Sequence, residues 1–95
     1  MLPVPQIMVL LPLQLSRAAG GTREVEVEGK TVGEALASLR GTHPSVAHLI
    51  LQESDEPRRA VALFLNDEDV RTLGRLDTPV AKGDRLSVVL PVAGG

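Results

Sequence analysis

Two apolar runs, one near each end of the chain, restrict its fold more than any other feature. Residues 6 to 11 read QIMVLL between Pro5 and Pro12, and residues 85 to 92 read RLSVVLPV. Neither run alternates apolar with polar residues over its length, as a strand with one wet face does, so both are read as central strands of a sheet. If they are neighbours, the two ends of the chain meet in the middle of the sheet, and whatever follows the last strand leaves from a rigid position. Leu13 and Leu15 continue the first run at period two and are expected to prolong it.

Between these runs the pattern changes twice. Gly20-Gly21 marks a turn, and REVEVEG then places Val25 and Val27 on one face and Glu24, Glu26 and Glu28 on the other. This predicts a second strand, hairpinned to the first, with a solvated acidic side. In TVGEALASLRG, Thr31 and Glu34 form a capping box that opens a helix, and Val32, Ala35, Leu36 and Leu39 make its apolar stripe. Gly41 is placed to close that helix in a left-handed conformation. Pro44 with Val46, Leu49 and Ile50 predicts a short second helix.

QESDEPRR is a polar loop, and Ala60 to Leu65 is a third strand, apolar on both faces. Asn66-Asp67 turns the chain, and Gly83-Asp84 turns it again before the last strand, Arg85 to Val92. The order strand, strand, helix, strand, strand is an α+β roll, a mixed four- to five-stranded sheet with one main helix and a short second helix.

Composition narrows the function. At 95 residues the chain is one domain, residues 1–95, with no room for a second core or a deep catalytic cavity. Phe64 is the sole aromatic residue, so the core must be built from Val, Leu, Ile and Ala. A formal net charge of −2 offers no excess positive field, and no nucleic acid partner is expected. Cysteine is absent, which removes disulfides, thiolate nucleophiles and cysteine-ligated metals. His43 and His48 have no third ligand near them in sequence, so no metal site is expected.

The opening MLPVPQIMVLLPLQL lacks a basic segment, is interrupted by Pro3, Pro5 and Pro12, and is too short to span a bilayer. It is read as a strand of a cytoplasmic protein with no membrane association. No Ser/His/Asp set, carboxylate pair or phosphate loop is visible, so the chain is not expected to be an enzyme.

The sequence closes on LPVAGG. Two glycines, without Cβ atoms, suit a backbone that must enter a narrow channel and adopt angles closed to other residues. Pro91 limits how far the strand ladder runs, leaving residues 91–95 as a flexible tail.

Three stretches, EVEVEGKTVGEAL, LNDEDVR and KGDRLSVVLPVAGG, together resemble the ubiquitin-like β-grasp sulfur carriers of the MoaD/ThiS/CysO family, and within it the CysO-like members. The resemblance runs from about Leu11 to Gly95. It implies a β-grasp roll and a carrier whose C-terminal carboxylate, on Gly95, is adenylated by an ATP-dependent enzyme of the MoeB/ThiF/MoeZ type and converted to a thiocarboxylate. Gly94 gives the slim approach. ATP belongs to the activating enzyme, and no cofactor is bound by the carrier. The implied acceptor is a biosynthetic enzyme such as a cysteine synthase, and the free carrier is expected to be a monomer. A protein modifier joined to lysines through Gly95, and the small subunit of a molybdopterin synthase, are the alternatives.

If Val61, Leu63 and Leu65 face the helix, Ala62 and Phe64 lie on the opposite face, joined by Val89 of the last strand. With Pro91, Val92 and Ala93 of the tail they form the expected surface for the activating enzyme. In the reverse register Phe64 completes the core instead. Asp67, Glu68 and Asp69 are read as turn-capping or solvated residues. Arg58, Arg59, Arg71 and Arg85 are read as solvated, with steering of acidic partners open to any near the tail.

Overall fold

A computed structural model describes residues 4–90 of the chain. Its strands are β1 (Gln6–Leu10), β2 (Glu24–Glu28), β3 (Ala62–Leu65), β4 (Glu68–Asp69) and β5 (Arg85–Val89), and its helices are α1 (Leu13–Ser16), α2 (Val32–Thr42) and α3 (Pro44–Ile50). The sheet order is β2-β1-β5-β3-β4. β1 and β5 run parallel side by side at its centre, and every other pairing is antiparallel. The central pairing is the one expected from the apolar runs, and the whole is the β-grasp roll that the resemblance implies.

The central pair is fastened at its start as well as along its length. Met8 N–H donates to Asp84 O at 3.0 Å and Gly83 N–H to Gln6 O at 3.1 Å. Asn66 and Asp67 take left-handed backbone angles (φ 49° and 76°), the conformation that a two-residue hairpin between β3 and β4 requires. The Asn66 side chain bonds the Asp84 carboxylate and accepts from the Arg85 N–H, each at 3.0 Å, so the two turns brace each other.

The α2 stripe is as read: Val32, Ala35, Leu36 and Leu39 are all fully buried. Thr31 Oγ1 accepts from Glu34 N–H at 3.1 Å, while the Glu34 carboxylate accepts from Lys30 N–H at 2.9 Å, one residue upstream of the usual capping-box partner. Gly29 lets β2 pass directly under the helix, since a Cβ there would stand 2.5 Å from the Ala35 nitrogen. The core is wholly aliphatic: every buried hydrophobic residue is Ile, Val, Leu or Ala.

Several local expectations are corrected. Leu13 and Leu15 do not extend β1. Pro12 has no N–H to continue the ladder and its fixed φ suits a helix start, so α1 follows, with Leu15 buried and Leu13 69% exposed. Gly41 does not close α2, which runs to Thr42 and ends at His43 (φ −136°, ψ 67°). Pro44 disfavours helical angles in the residue before it, and that places the break two residues later. In α3 the buried residues are Val46, Ala47 and Ile50, while Leu49 sits at the edge of the stripe, 48% exposed. β3 begins at Ala62 because Arg59-Ala60 belongs to a turn closed by Val61 N–H to Arg58 O at 2.9 Å. β5, expected from Arg85 to Val92, ends at Val89, with Leu90 already outside the strand next to Pro91, which has no N–H for the ladder, and the tail, residues 91–95, lies outside the described residues.

Candidate docking face and tail exit

The strand register assembles one face of the sheet from residues far apart in sequence. Alternation along β1, β3 and β5 buries Ile7, Val9, Leu63, Leu65, Leu86 and Val88 against the helices. The other positions point away. Leu10 pairs with Glu24 on one side and with Ser87 on the other, Ser87 pairs with Phe64, and Phe64 pairs with Asp69. Glu24, Leu10, Ser87, Phe64 and Asp69 therefore form a single row across all five strands, with Leu10 and Phe64 flanking the central Ser87 and an acidic residue at each end.

Phe64 lies on this outer face, half-buried, and not in the core. Ala62, also half-buried, pairs with Val89, which is 44% exposed. The three positions expected to share a face do share one. Met8 and Leu10 of β1 join them, half-buried. The sequence reading missed these two because an unbroken apolar run does not say which of its residues is covered by a helix. The signal was available in the acidic alternation of β2, whose register fixes the outward side of β1 as well.

β5 ends at Val89 beside Ala62 and Leu90 follows it, so the chain leaves the sheet at the margin of this apolar patch. Gly94, Gly95, Pro91, Val92 and Ala93 lie outside the described residues.

At the far end of the row Asp69 is bound by Arg71. The guanidinium donates to both carboxylate oxygens, at 2.6 Å from Nη2, and Arg71 N–H adds a bond at 2.9 Å. The side-chain hydrogen bond to Arg71, then the backbone bond, hold the Asp69 carboxyl below its ordinary 3.8, and the same pairing raises Arg71. Asp69 thus caps the turn that follows β4, as the acidic cluster there was expected to do. His43 Nδ1 lies 2.9 Å from the Thr42 hydroxyl, and His48 is exposed. Among the described residues no group of three or more metal-ligating side chains converges, and no helix is long and apolar enough to cross a membrane.

A parallel central pair with one main helix laid across a five-stranded mixed sheet defines the ubiquitin-like β-grasp class. Within that class the chain belongs to the ThiS family, whose sequence profile matches residues 9–95. It is 32% identical over 91 residues to the sulfur carrier protein CysO of Mycobacterium tuberculosis, a match covering 94% of this chain and 98% of that protein. Among solved structures it is similar to the BexX/CysO complex of Amycolatopsis orientalis, with a TM-score of 0.84 and 34% identity over 94% of this chain and 99% of that one. It is also similar to small archaeal modifier protein 1 of Methanosarcina acetivorans, with a TM-score of 0.83 and 27% identity over 98% and 99% of the two chains.

Proposed function

We propose that this protein is a sulfur carrier whose Gly95 carboxylate is activated with ATP and loaded with sulfur for a biosynthetic enzyme. The observation that carries the reading is the position of β5: the strand that leads to the glycines is held by β1 on one side and β3 on the other, beside an apolar face.

The chemistry follows from the weakness of a carboxylate as an electrophile. Attack of the Gly95 carboxylate on the α-phosphorus of ATP expels pyrophosphate and forms an acyl-adenylate. Hydrosulfide then attacks the acyl carbon and displaces AMP, a far better leaving group than oxide, and loss of its proton leaves a thiocarboxylate; a persulfide donor gives first an acyl disulfide, which a second thiol cleaves, itself ending in the disulfide with the donor. The carrier itself supplies reach and recognition. Gly94 and Gly95 carry no side chain to obstruct a channel, Pro91 to Ala93 precede them in sequence, and Met8, Leu10, Ala62, Phe64 and Val89 form the surface on which an adenylating enzyme of the MoeB/ThiF/MoeZ type seats. Similarity to the sulfur carrier CysO supports the carrier role, and the acceptor we propose is a sulfur-incorporating enzyme of cysteine or related biosynthesis.

The test is intact mass measured after incubation with ATP, a sulfur donor and the adenylating enzyme. A gain equal to sulfur minus oxygen is expected, and no gain with an enzyme that loads another carrier overturns the reading. Similarity to an archaeal modifier protein supports a second use of the same activated glycine, attachment to lysines of other proteins. Isopeptide-linked adducts in cells, absent when Gly95 is deleted, would establish it.

A further inference from the structure

We infer that an arginine-lined cleft beside the tail exit is a docking site for a carboxylate-bearing, aliphatic segment of the protein partner that takes the tail. A chain of net charge −2 gathers four of its eight arginines, Arg58, Arg59, Arg71 and Arg75, round a cleft of about 170 Å³. They come from two segments, the loop that enters β3 and the loop that leaves β4. The floor between them is apolar, made by Val61, Leu63, Val70 and Leu76. Glu56 is the one acidic residue of the lining.

The arginines are not equally engaged. Arg71 is paired with Asp69, and Arg58 Nε donates to His48 O at 3.1 Å. Among the described residues the guanidinium groups of Arg59 and Arg75 have no hydrogen-bond or ion-pair partner. Arg75 also stands in the left-handed region, with φ 53°, where the other non-glycine residues are all Asp or Asn. A side chain of that size seldom adopts this conformation, and its surroundings enforce it. Gly74 N–H donates to Thr78 Oγ1 at 2.8 Å, Val32 N–H to Thr78 O at 2.9 Å, and Gly33 packs directly on Leu76. The loop is clamped to the start of α2 with Arg75 held at the cleft.

Planar guanidinium groups over an aliphatic floor match a carboxylate next to a Leu, Ile or Val side chain. The small volume takes one or two side chains. The solvated glutamates of β2 and the net negative charge oppose a long polyanion such as RNA. Continuity with the outer face identifies the partner: Ala62 lines the cleft and also pairs with Val89 at the tail exit, so a protein that grips the tail and covers the apolar face extends onto the arginines. The inference rests on the proposed function only for that identity.

The test uses the full-length 15N-labelled protein and an N-acetylated, C-amidated Glu-Leu-Asp-Leu-Glu peptide, followed by amide chemical shifts. The expected result is saturable shifts confined to residues 58–63 and 70–76, with affinity weakened about tenfold on raising NaCl from about 50 mM to about 500 mM. The Gln/Asn counterpart should produce none. Arg59→Glu and Arg75→Gly should each weaken binding about fivefold or more. Arg75→Gly keeps the left-handed backbone, so a purely structural role for Arg75 predicts wild-type binding.

Equal shifts from the neutral peptide, shifts elsewhere, no saturation, or the same shifts from inorganic phosphate or a short RNA would each overturn the inference. Sulfur loading of Gly95 plays no part in this experiment, so its failure leaves the proposed function standing, and the reverse also holds.

Discussion

Phe64 of β3 lies directly between Ser87 of β5 and Asp69 of β4 on the face of the sheet turned away from the helices. The sole aromatic side chain of the protein is therefore spent on a surface, in a molecule whose core is aliphatic throughout. A large apolar group left partly uncovered in the middle of a sheet is a characteristic anchor for a partner.

Replacing Phe64 should accordingly separate binding from stability. Phe64→Ala is expected to weaken binding to the adenylating enzyme by about tenfold and Phe64→Glu by more, since it buries a charge. Thermal melting should move little for either. Calorimetric titration beside circular dichroism checks this, and unchanged affinity in a folded Phe64→Glu protein removes the docking role.

Two glycines near α2 should respond in opposite directions. Gly29→Ala forces a methyl group onto the Ala35 backbone, with a cost of about 1–3 kcal/mol. Gly41 is helical, its Cβ direction is open, and Gly41→Ala is expected to stabilise by about 0.5–1 kcal/mol. Urea midpoints of the two variants decide it. A left-handed Gly41 would give a loss instead.

Asp69 should contribute to acid sensitivity. Its folded pKa lies below the ordinary 3.8, chiefly through the Arg71 hydrogen bond, so the unfolded state binds its proton first as pH falls. The contribution is fully present above 3.8 and is lost as pH drops through the lower folded value. Asp69→Asn should therefore lose less stability than the wild type over that acid window, as read from urea midpoints at a series of pH values. Parallel pH curves would contradict it.

Extending the chain should abolish loading. On the proposed function, one residue added after Gly95 turns the carboxylate that would be activated into an amide and places the new carboxylate one residue further on. Intact mass after incubation with the adenylating enzyme should show no sulfur gain, while affinity through the sheet face persists. Wild-type loading of the extended chain would show that the enzyme does not read the tail's length.

Much of the fold is legible in short windows. The Glu/Val alternation of β2, the α2 stripe from Val32 to Leu39, the Thr31 cap and the Asn66-Asp67 turn each state their structure within a few residues. The failures have a common origin in neighbours. Leu13 and Leu15 keep a strand period, but Pro12 diverts the chain into a helical turn, and Gly41 has the composition of a helix end, but Pro44 sets the end at His43. The site divides similarly: period two put Phe64 and Ala62 on one face but left open which face the helix covers, whereas their meeting with Val89, Met8 and Leu10 needed the strand pairings.

By itself the amino-acid sequence determined most of the elements, the aliphatic core and the glycine pair, because side-chain direction repeats every two residues in a strand and every three to four in a helix, and both periods are local. Only the tertiary structure decided which faces met. The row from Glu24 through Leu10, Ser87 and Phe64 to Asp69, and the cleft that gathers Arg58 and Arg59 with Arg71 and Arg75, are products of strand register and loop docking. Register is chosen by burying Ile7, Val9, Val25, Val27, Leu63, Leu65, Leu86 and Val88 together on one side, a cooperative choice that no single segment can make.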